Sequence, residues 1–276
     1  MASDDALSKA FASAELSRQQ SRFKFSDQGA FDRHQSAIDS LDPEIREIAL
    51  VMGYPVPVNC VAGVFPLPEI NAVAMALPNQ AGYIIGVNEG LFHFVEGMAQ
   101  ICALYFPFSD DPMADLSKDQ RGCTLFVELL SSLAAFTVTV PFQNAVMMYE
   151  RTQLAETISI LMTFYVASHE YAHVMLGHHA RLGHSSRKTT SGGRIECDEI
   201  PLSQQLEFDA DFRGFMTTFA FADQMGGNRA LALWAADFYF AAISFWEAFS
   251  EEVEPIRASS KRLCLATGAR CQMADF

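Results

Sequence analysis

The sequence predicts an α+β fold that is mostly helical, with a small sheet of short strands packed on long helices. Three observations lead to this expectation. From residue 91 onward, apolar side chains recur at the three- and four-residue spacing of helices. Before that point, two short apolar runs flank a segment rich in turn-forming residues. Half of the 276 residues are hydrophobic, which is enough to bury a full core.

The N-terminal part of the chain predicts an extension followed by one domain. Residues 1–40 alternate polar and apolar side chains, as in one or two amphipathic helices, so we place the division at 1–40 and 41–276. Asp42 and Pro43 are typical of a helix start. The four prolines of residues 55–68 predict extended chain, either an edge strand or a loop.

Two strands and five helices are expected after this segment. Residues 72–77 and 83–87 predict strands joined as a hairpin. Helices are predicted over residues 91–105, 116–138, 142–180, 202–225 and 229–250. The polar residues 184–194 predict a loop between the third and fourth helices, either a flexible connector or a mobile flap. The longest apolar runs contain polar or charged residues, so they predict buried helices rather than membrane spans.

Two histidines distinguish the helix predicted over 142–180. His169 and His173 are four residues apart, so their side chains lie one above the other on one face. That face continues an apolar stripe formed by Ile158, Met162, Tyr165 and Ala172. Two imidazoles so placed can bind one Zn²⁺, and Glu170 between them can act on a water at the metal. His178 and His179 follow His173 by five and six residues, and an i+5 step turns a side chain away from this face, so they are not counted as ligands. The alternative is that the histidines are ordinary packed or surface residues.

The next helix offers a third ligand. Glu207 and Asp211 lie four residues apart on a face that is otherwise small and apolar. Two carboxylates on such a face are costly to bury unless a cation or hydrogen-bond donors lie between them. We expect Glu207 to bind zinc and Asp211 to accept the N–H of a ligating imidazole. The third ligand could instead be Asp211 itself, or an acid of the preceding loop, which holds Glu196, Asp198 and Glu199.

Residues 169–173 (HEYAH) and 207–211 (EFDAD) together resemble the HExxH and ExxAD motifs of gluzincin metallopeptidases. The resemblance implies a zincin-like core with one Zn²⁺ per chain. It also implies that the two histidines and the first glutamate of the second motif bind the metal. The glutamate of the first motif would then be the general base, and the aspartate would lie behind a ligand.

A third stretch, from Asn71 to Leu91, is similar to a segment of HtpX-like minigluzincins in which a strand leads into the helix before the catalytic helix. In those enzymes the strand forms a sheet edge that pairs with an extended substrate. The resemblance therefore implies substrate binding along the second predicted strand, by Tyr83, Ile84, Ile85, Gly86 and Val87. The order of the motifs and the size of the chain are also similar to those of Lit-type phage-exclusion peptidases.

The function expected on these grounds is zinc-dependent hydrolysis of peptide bonds in a protein or peptide substrate. The rival expectation is a zinc-stabilised binding or regulatory protein that no longer turns over. Related enzymes carry a late His, Arg or Tyr that stabilises the transition state. Here that role would fall to Tyr239 or Arg257, which no motif identifies.

Charge and cysteine usage limit the partners and the compartment. A formal charge of −14 argues against nucleic acid as a partner and weakly against an anionic membrane. The N-terminal residues lack the apolar run of a secretory signal, and the six cysteines lack the spacing of a zinc knuckle. We therefore expect a cytoplasmic protein with reduced thiols, and the sequence indicates no oligomeric state.

Overall fold

A computed structural model of the chain describes residues 28–65, 67, 69–77, 82–105, 124–129, 152–178, 198–199, 204–227 and 229–267. Within these ranges the fold is α+β and mostly helical, as predicted. The five long helices are α1 Gln28–Val51, α2 Glu89–Tyr105, α3 Thr152–Met175, α4 Gln204–Gln224 and α5 Arg229–Thr267. The strands are β1 Cys60–Phe65, β2 Ala72–Ala76, β3 Tyr83–Asn88 and β4 Asp198–Glu199. The chain divides into two compact units, Met1–Ala236 and Asp237–Phe276.

The four strands form one mixed sheet in the order β1-β3-β2-β4. The predicted hairpin is confirmed, because β2 pairs antiparallel with β3 and Ala74 lies opposite Ile85. However, β1 pairs parallel with the other side of β3, with Cys60 opposite Tyr83. The prediction that residues 83–87 form a sheet edge is therefore wrong. The proline-rich segment supplies a strand that occupies this edge, so the backbone of β3 is paired on both sides and cannot add a substrate strand.

Helix α1 covers the outer edge of β1. The side-chain oxygen of Gln35 accepts the N–H of Val64 at 2.9 Å. Arg46 donates to the carbonyl of Cys60 at 2.6 Å while its guanidinium also binds Asp42 on its own helix. Polar groups that a lone edge strand would expose are thus bonded to the helix beside it.

Helix α1 is longer than expected. The predicted start at Asp42 is wrong, since the helix runs continuously from Gln28 to Val51 with Pro43 inside it. A proline in a helix interior removes one hydrogen bond and crowds the preceding turn. Burial offsets this loss, because apolar side chains on both sides of Pro43 pack into one core face: Ile38, Leu41, Ile45 and Ile48. The predicted domain division after residue 40 lies within this helix.

The remaining helices follow the predicted ranges with shifted ends. Helix α2 begins two residues early, because Glu89 follows directly from β3. Residues 124–129 are helical within the range predicted over 116–138, while the predicted loop at 184–194 lies outside the described residues. Helix α5 extends past its predicted end at residue 250. No helix of the described part of the chain is long and apolar enough to cross a membrane.

Helices α3 and α4 pack closely against each other. The rings of Phe164 and Phe221 stack across the interface with centroids 4.0 Å apart. Gly214 allows the closest approach, because a Cβ added there would lie 3.0 Å from the backbone nitrogen of His169. This close contact brings one face of α4 directly against the histidine-bearing turn of α3.

Candidate metal centre

Helices α3 and α4 bring His169, His173 and Glu207 together. The Nε2 atoms of the two histidines lie 3.1 Å apart. One Glu207 oxygen lies 3.4 Å from Nε2 of His169, and the other lies 3.2 Å from Nε2 of His173. Around a tetrahedral zinc ion, neighbouring nitrogen and oxygen ligands are about 3.3 Å apart. The three side chains therefore have the spacing of a zinc site.

The contact that Nδ1 of His169 makes with Asp211 fixes the direction in which Nε2 of the same ring points. Nδ1 of His169 lies 2.8 Å from Oδ1 of Asp211, which can only accept, so Nδ1 carries a proton. Asp211 in turn accepts a hydrogen bond of 2.9 Å from the hydroxyl of Tyr165. A carboxylate behind a histidine in this way orients the ring and makes its free nitrogen more basic.

His178 orients the ring of His173 in the same way, a contact that the sequence analysis did not predict. The Nδ1 atoms of the two rings are 2.9 Å apart, and His178 is fully buried. In a regular helix a residue five positions on would point away. Here α3 ends at Met175, and Gly177 adopts a positive φ of 65°, which turns the chain so that His178 reaches back. The glycine four residues after His173 was the available signal.

The charges of this cluster favour a cation at its centre. Burial lowers the pKa of His169, but its hydrogen bonds with Asp211 and Glu207 outweigh this and raise the pKa to about 10. Burial and the neighbouring His169 lower the pKa of His173. One imidazole thus holds a proton between two nitrogens that would otherwise face each other with bare lone pairs. A divalent metal ion can replace that proton and satisfy both nitrogens and Glu207 together.

An incompletely bonded oxygen also fits this interpretation. Oε1 of Glu207 is buried and makes no hydrogen bond within the described part of the chain. Its separation from His173 is short enough for a hydrogen bond, but the direction is unsuitable. A buried carboxylate oxygen that lies this close to a histidine nitrogen without bonding to it is available to a metal ion.

Glu170 lies beside this point and contacts the sheet. Burial raises the pKa of its carboxyl to about 7; His169 opposes this, and the Glu207 carboxylate adds to it. The backbone N–H of Ala74, on β2, donates a hydrogen bond to the same carboxyl. The strand next to Glu170 is therefore β2 and not β3, where the sequence had suggested a substrate-binding edge.

The other predicted residues lie elsewhere. Tyr83, Ile84, Ile85, Gly86 and Val87 form the central strand β3. Of the alternative ligands, Glu196 lies outside the described residues, and the backbone of Asp198 and Glu199 pairs with the end of β2 as β4. Tyr239 and Arg257 lie on α5 within the second unit, so a role for either in the transition state stays a prediction.

The chemistry open to this cluster follows from its donors. Two imidazole nitrogens and one carboxylate oxygen suit Zn²⁺ and leave a coordination position for water or substrate. A carboxyl whose pKa lies near neutrality can both accept and return a proton. No protein-family model, curated protein or solved structure matches the chain.

Proposed function

We propose that the protein is a zinc-dependent peptidase with a zincin-like, gluzincin-type centre. One observation carries the proposal: the ligand atoms of His169, His173 and Glu207 are 3.1–3.4 Å apart, with Glu170 on the adjoining position of α3. Structural zinc sites are usually closed by four protein ligands, whereas three ligands with a neighbouring carboxyl are typical of catalytic zinc.

Glu170 is the group that moves the proton. Bound Zn²⁺ would lower the pKa of a water toward about 7 and polarise the substrate carbonyl. Glu170 takes the proton from the attacking water and delivers it to the nitrogen of the leaving amine. Burial raises the pKa of this carboxyl, which makes its protonated form more accessible than that of a solvated glutamate. The N–H of Ala74 holds the carboxyl in place during this exchange.

Three residues position the ligands: Asp211, Tyr165 and His178. Asp211 holds the His169 ring by its outer nitrogen, and Tyr165 holds Asp211. His178 holds the ring of His173. If Nε2 of His173 binds the metal, its Nδ1 carries the proton and donates it, and His178 accepts at Nδ1. Both imidazoles are thus oriented from behind by groups of this chain.

An extended substrate would bind along β2. Strand β4 pairs only with Met75 and Ala76, so among the described residues no strand lies against the outer side of Ala72–Ala74. This open stretch leads directly to the N–H that contacts Glu170. Main-chain pairing with it would bring a peptide bond towards the cluster and would demand little of the substrate sequence.

The proposal is tested by separating metal binding from turnover. Glu170→Gln keeps the size of the side chain but removes the base, so it should keep zinc and lose about 10²–10⁴-fold in turnover. The measurement is cleavage of a denatured protein pool by zinc-loaded protein, with zinc content determined on the same samples. Asp209→Asn is the matched control, since this acid lies on the same helix as Glu207 and its carboxylate accepts a hydrogen bond from Gln205.

Three results would decide against the proposal. Proteolysis by the Glu170→Gln variant at the rate of the unmodified protein would exclude Glu170 as the base. Absence of zinc after zinc is supplied would exclude the metal centre. Zinc binding without chelator-sensitive cleavage of any substrate would instead favour a zinc-stabilised binding or regulatory protein.

A further inference from the structure

A second group of metal-binding side chains lies between α1 and α2. His34 comes from α1, and Glu89 and His93 lie one turn apart at the start of α2. Oε1 of Glu89 is 4.0 Å from Nδ1 of His34 and 3.8 Å from Nε2 of His93. All three ligand atoms lie within 4.8 Å of one another. No residue of this group belongs to the HEYAH or EFDAD motif.

Glu89 is the unexplained member of the group. Its side chain is 0 % exposed, and among the described residues neither carboxylate oxygen has a hydrogen-bond partner. Its position in the first turn of α2 contributes only about 0.3–1 kcal/mol through the helix dipole. Removing a carboxylate from water costs several kcal/mol. The helix alone therefore does not account for this burial, and a bound cation would.

His34 is oriented toward Glu89 in the way that a ligand would be. Its Nε2 lies 3.2 Å from Oε1 of Glu96, which places the ring proton on that side. Nδ1, which has no hydrogen-bond partner among the described residues, then presents a lone pair on the side of Glu89. The ring also stacks on Phe92 at a centroid distance of 4.5 Å, which restricts its rotation. This arrangement repeats the one in which Asp211 orients His169.

We propose that His34, Glu89 and His93 bind a second divalent transition-metal ion, for which zinc is the representative. Two imidazole nitrogens and a carboxylate form a donor set that suits zinc, cobalt and nickel better than calcium or magnesium. The two distances between Glu89 and the histidine nitrogens, 3.8 and 4.0 Å, must shorten by about half an ångström to reach tetrahedral spacing, and all three ligand atoms lie within 4.8 Å of one another. Both Glu89 oxygens lack hydrogen-bond partners among the described residues, so binding through both would give the ion the four protein donors of a closed structural site.

The ion would join two helices and take no part in hydrolysis. Bound at this position it ties α1 to the start of α2, which continues directly from the central strand β3. The exposed fractions of His34 and Glu89 are 2 % and 0 %, so a substrate has little access. A buried ion of this kind contributes to stability by binding the folded state alone.

The test counts zinc ions in the full-length protein after chelator treatment and titration with zinc alone. The unmodified chain should bind about two ions, and Glu207→Ala should keep about one, at the second site. Glu89→Gln keeps the side-chain volume and should also bind about one, at the first. Glu96→Gln is the matched control, because Glu96 contacts His34 but is not a ligand. It should keep both ions while weakening the second about 10–100-fold.

The outcomes separate this inference from the proposed function. Loss of all zinc in Glu207→Ala, or full zinc content in Glu89→Gln, overturns the second site. If the unmodified chain binds a single ion that Glu89→Gln loses and Glu207→Ala keeps, the second site stands and the peptidase proposal falls. Thermal unfolding of each variant without zinc shows whether it folds. If Glu89→Gln does not fold, His93→Gln takes its place with the same expected count.

Discussion

The two ligand clusters share their composition and differ in their surroundings. Each consists of two histidines and one glutamate, and in each a further carboxylate holds one histidine from behind, Asp211 in the first cluster and Glu96 in the second. The first cluster spaces its atoms 3.1–3.4 Å apart, and its glutamate side chain is 30 % exposed. The second spaces them 3.8–4.0 Å apart around a glutamate that is 0 % exposed.

The same donors can therefore serve two purposes, catalysis and stabilisation of the fold. The first cluster is partly exposed, through Glu207 at 30 % and His169 at 15 %, and has Glu170 beside it, whose pKa burial raises to about 7. In the second cluster His34 and Glu89 are 2 % and 0 % exposed. Burial raises the pKa of the neighbouring Glu96 carboxyl, but its contacts with His34, chiefly the hydrogen bond, outweigh burial and lower that pKa. We therefore infer that the first cluster is catalytic and that the second stabilises the fold.

The largest effect is expected on metal affinity at the first cluster. Glu207→Ala removes one of three ligands and should remove most of the zinc bound there. Asp211→Asn keeps the shape but loses the charge behind His169, which costs about 10–100-fold in affinity or activity. The measurement is competition for zinc against a chromophoric chelator, on the background of Glu89→Gln so that only the first site reports.

The reverse result would exchange the roles of Glu207 and Asp211. If Glu207→Ala kept its affinity and Asp211→Asn lost zinc, Asp211 would be the ligand. That outcome would also contradict the observed contacts, since Asp211 faces the outer nitrogen of His169 and Glu207 approaches the inner ones.

Sequence reasoning found the first cluster because its parts repeat at helical spacing. His169, Glu170 and His173 lie within one turn of α3, and Glu207 and Asp211 lie within one turn of α4. Such short-range patterns fix which side chains share a face. The second cluster has only Glu89 and His93 at that spacing, and its third member comes from a distant helix. Nothing local to His34 indicates a partner that lies 55 or more residues away in sequence.

The errors in the fold have a similar cause. Strand pairing depends on distant segments, so the edge position of β3 was wrong once β1 took its place beside it. The start of α1 was wrong because burial on both sides of Pro43 outweighed a local helix-breaking signal. His178 was missed because the helix ends at Met175 and no longer follows helical geometry. Local patterns predicted the elements, and long-range packing decided their ends and neighbours.

The second prediction compares the two glutamates in zinc-free protein. Glu89→Gln removes a buried carboxylate that lacks donors, so it should raise the free energy of unfolding by about 1–3 kcal/mol. Glu207→Gln removes a half-buried carboxylate that pairs with His169, so it should lower that free energy by less than about 1 kcal/mol. Urea unfolding in the presence of a chelator measures both.

Opposite signs for the two variants would support the division between the clusters. Destabilisation by Glu89→Gln without metal would mean that this carboxylate is already satisfied in the folded chain. The buried cluster would then have no need of a cation.

The smallest effect concerns a buried thiol at the far end of α2 from the second cluster. Cys102 lies on this helix, and burial raises the pKa of its thiol to about 12 from 9.0. Below pH 9 the thiol is protonated in both the folded and the unfolded chain, so it adds no pH dependence. Above pH 9 only the unfolded chain releases the proton, so stability falls by about 1.4 kcal/mol per pH unit for this group until the pH passes its folded pKa.

Between pH 9 and 11 the free energy of unfolding of Cys102→Ala should therefore fall less steeply with pH. The slope should differ by the contribution of about one proton, whatever the substitution does to stability at pH 8. The slope is the quantity to compare, because loss of the sulfur atom also leaves a small cavity that lowers stability at every pH. Cys60→Ala is the matched control, since burial raises the pKa of that thiol to about 12 as well, but on β1 beside Arg46, whose charge opposes the shift. An unchanged slope in Cys102→Ala, with a reduced slope in Cys60→Ala, would mean that water reaches the interior side of α2.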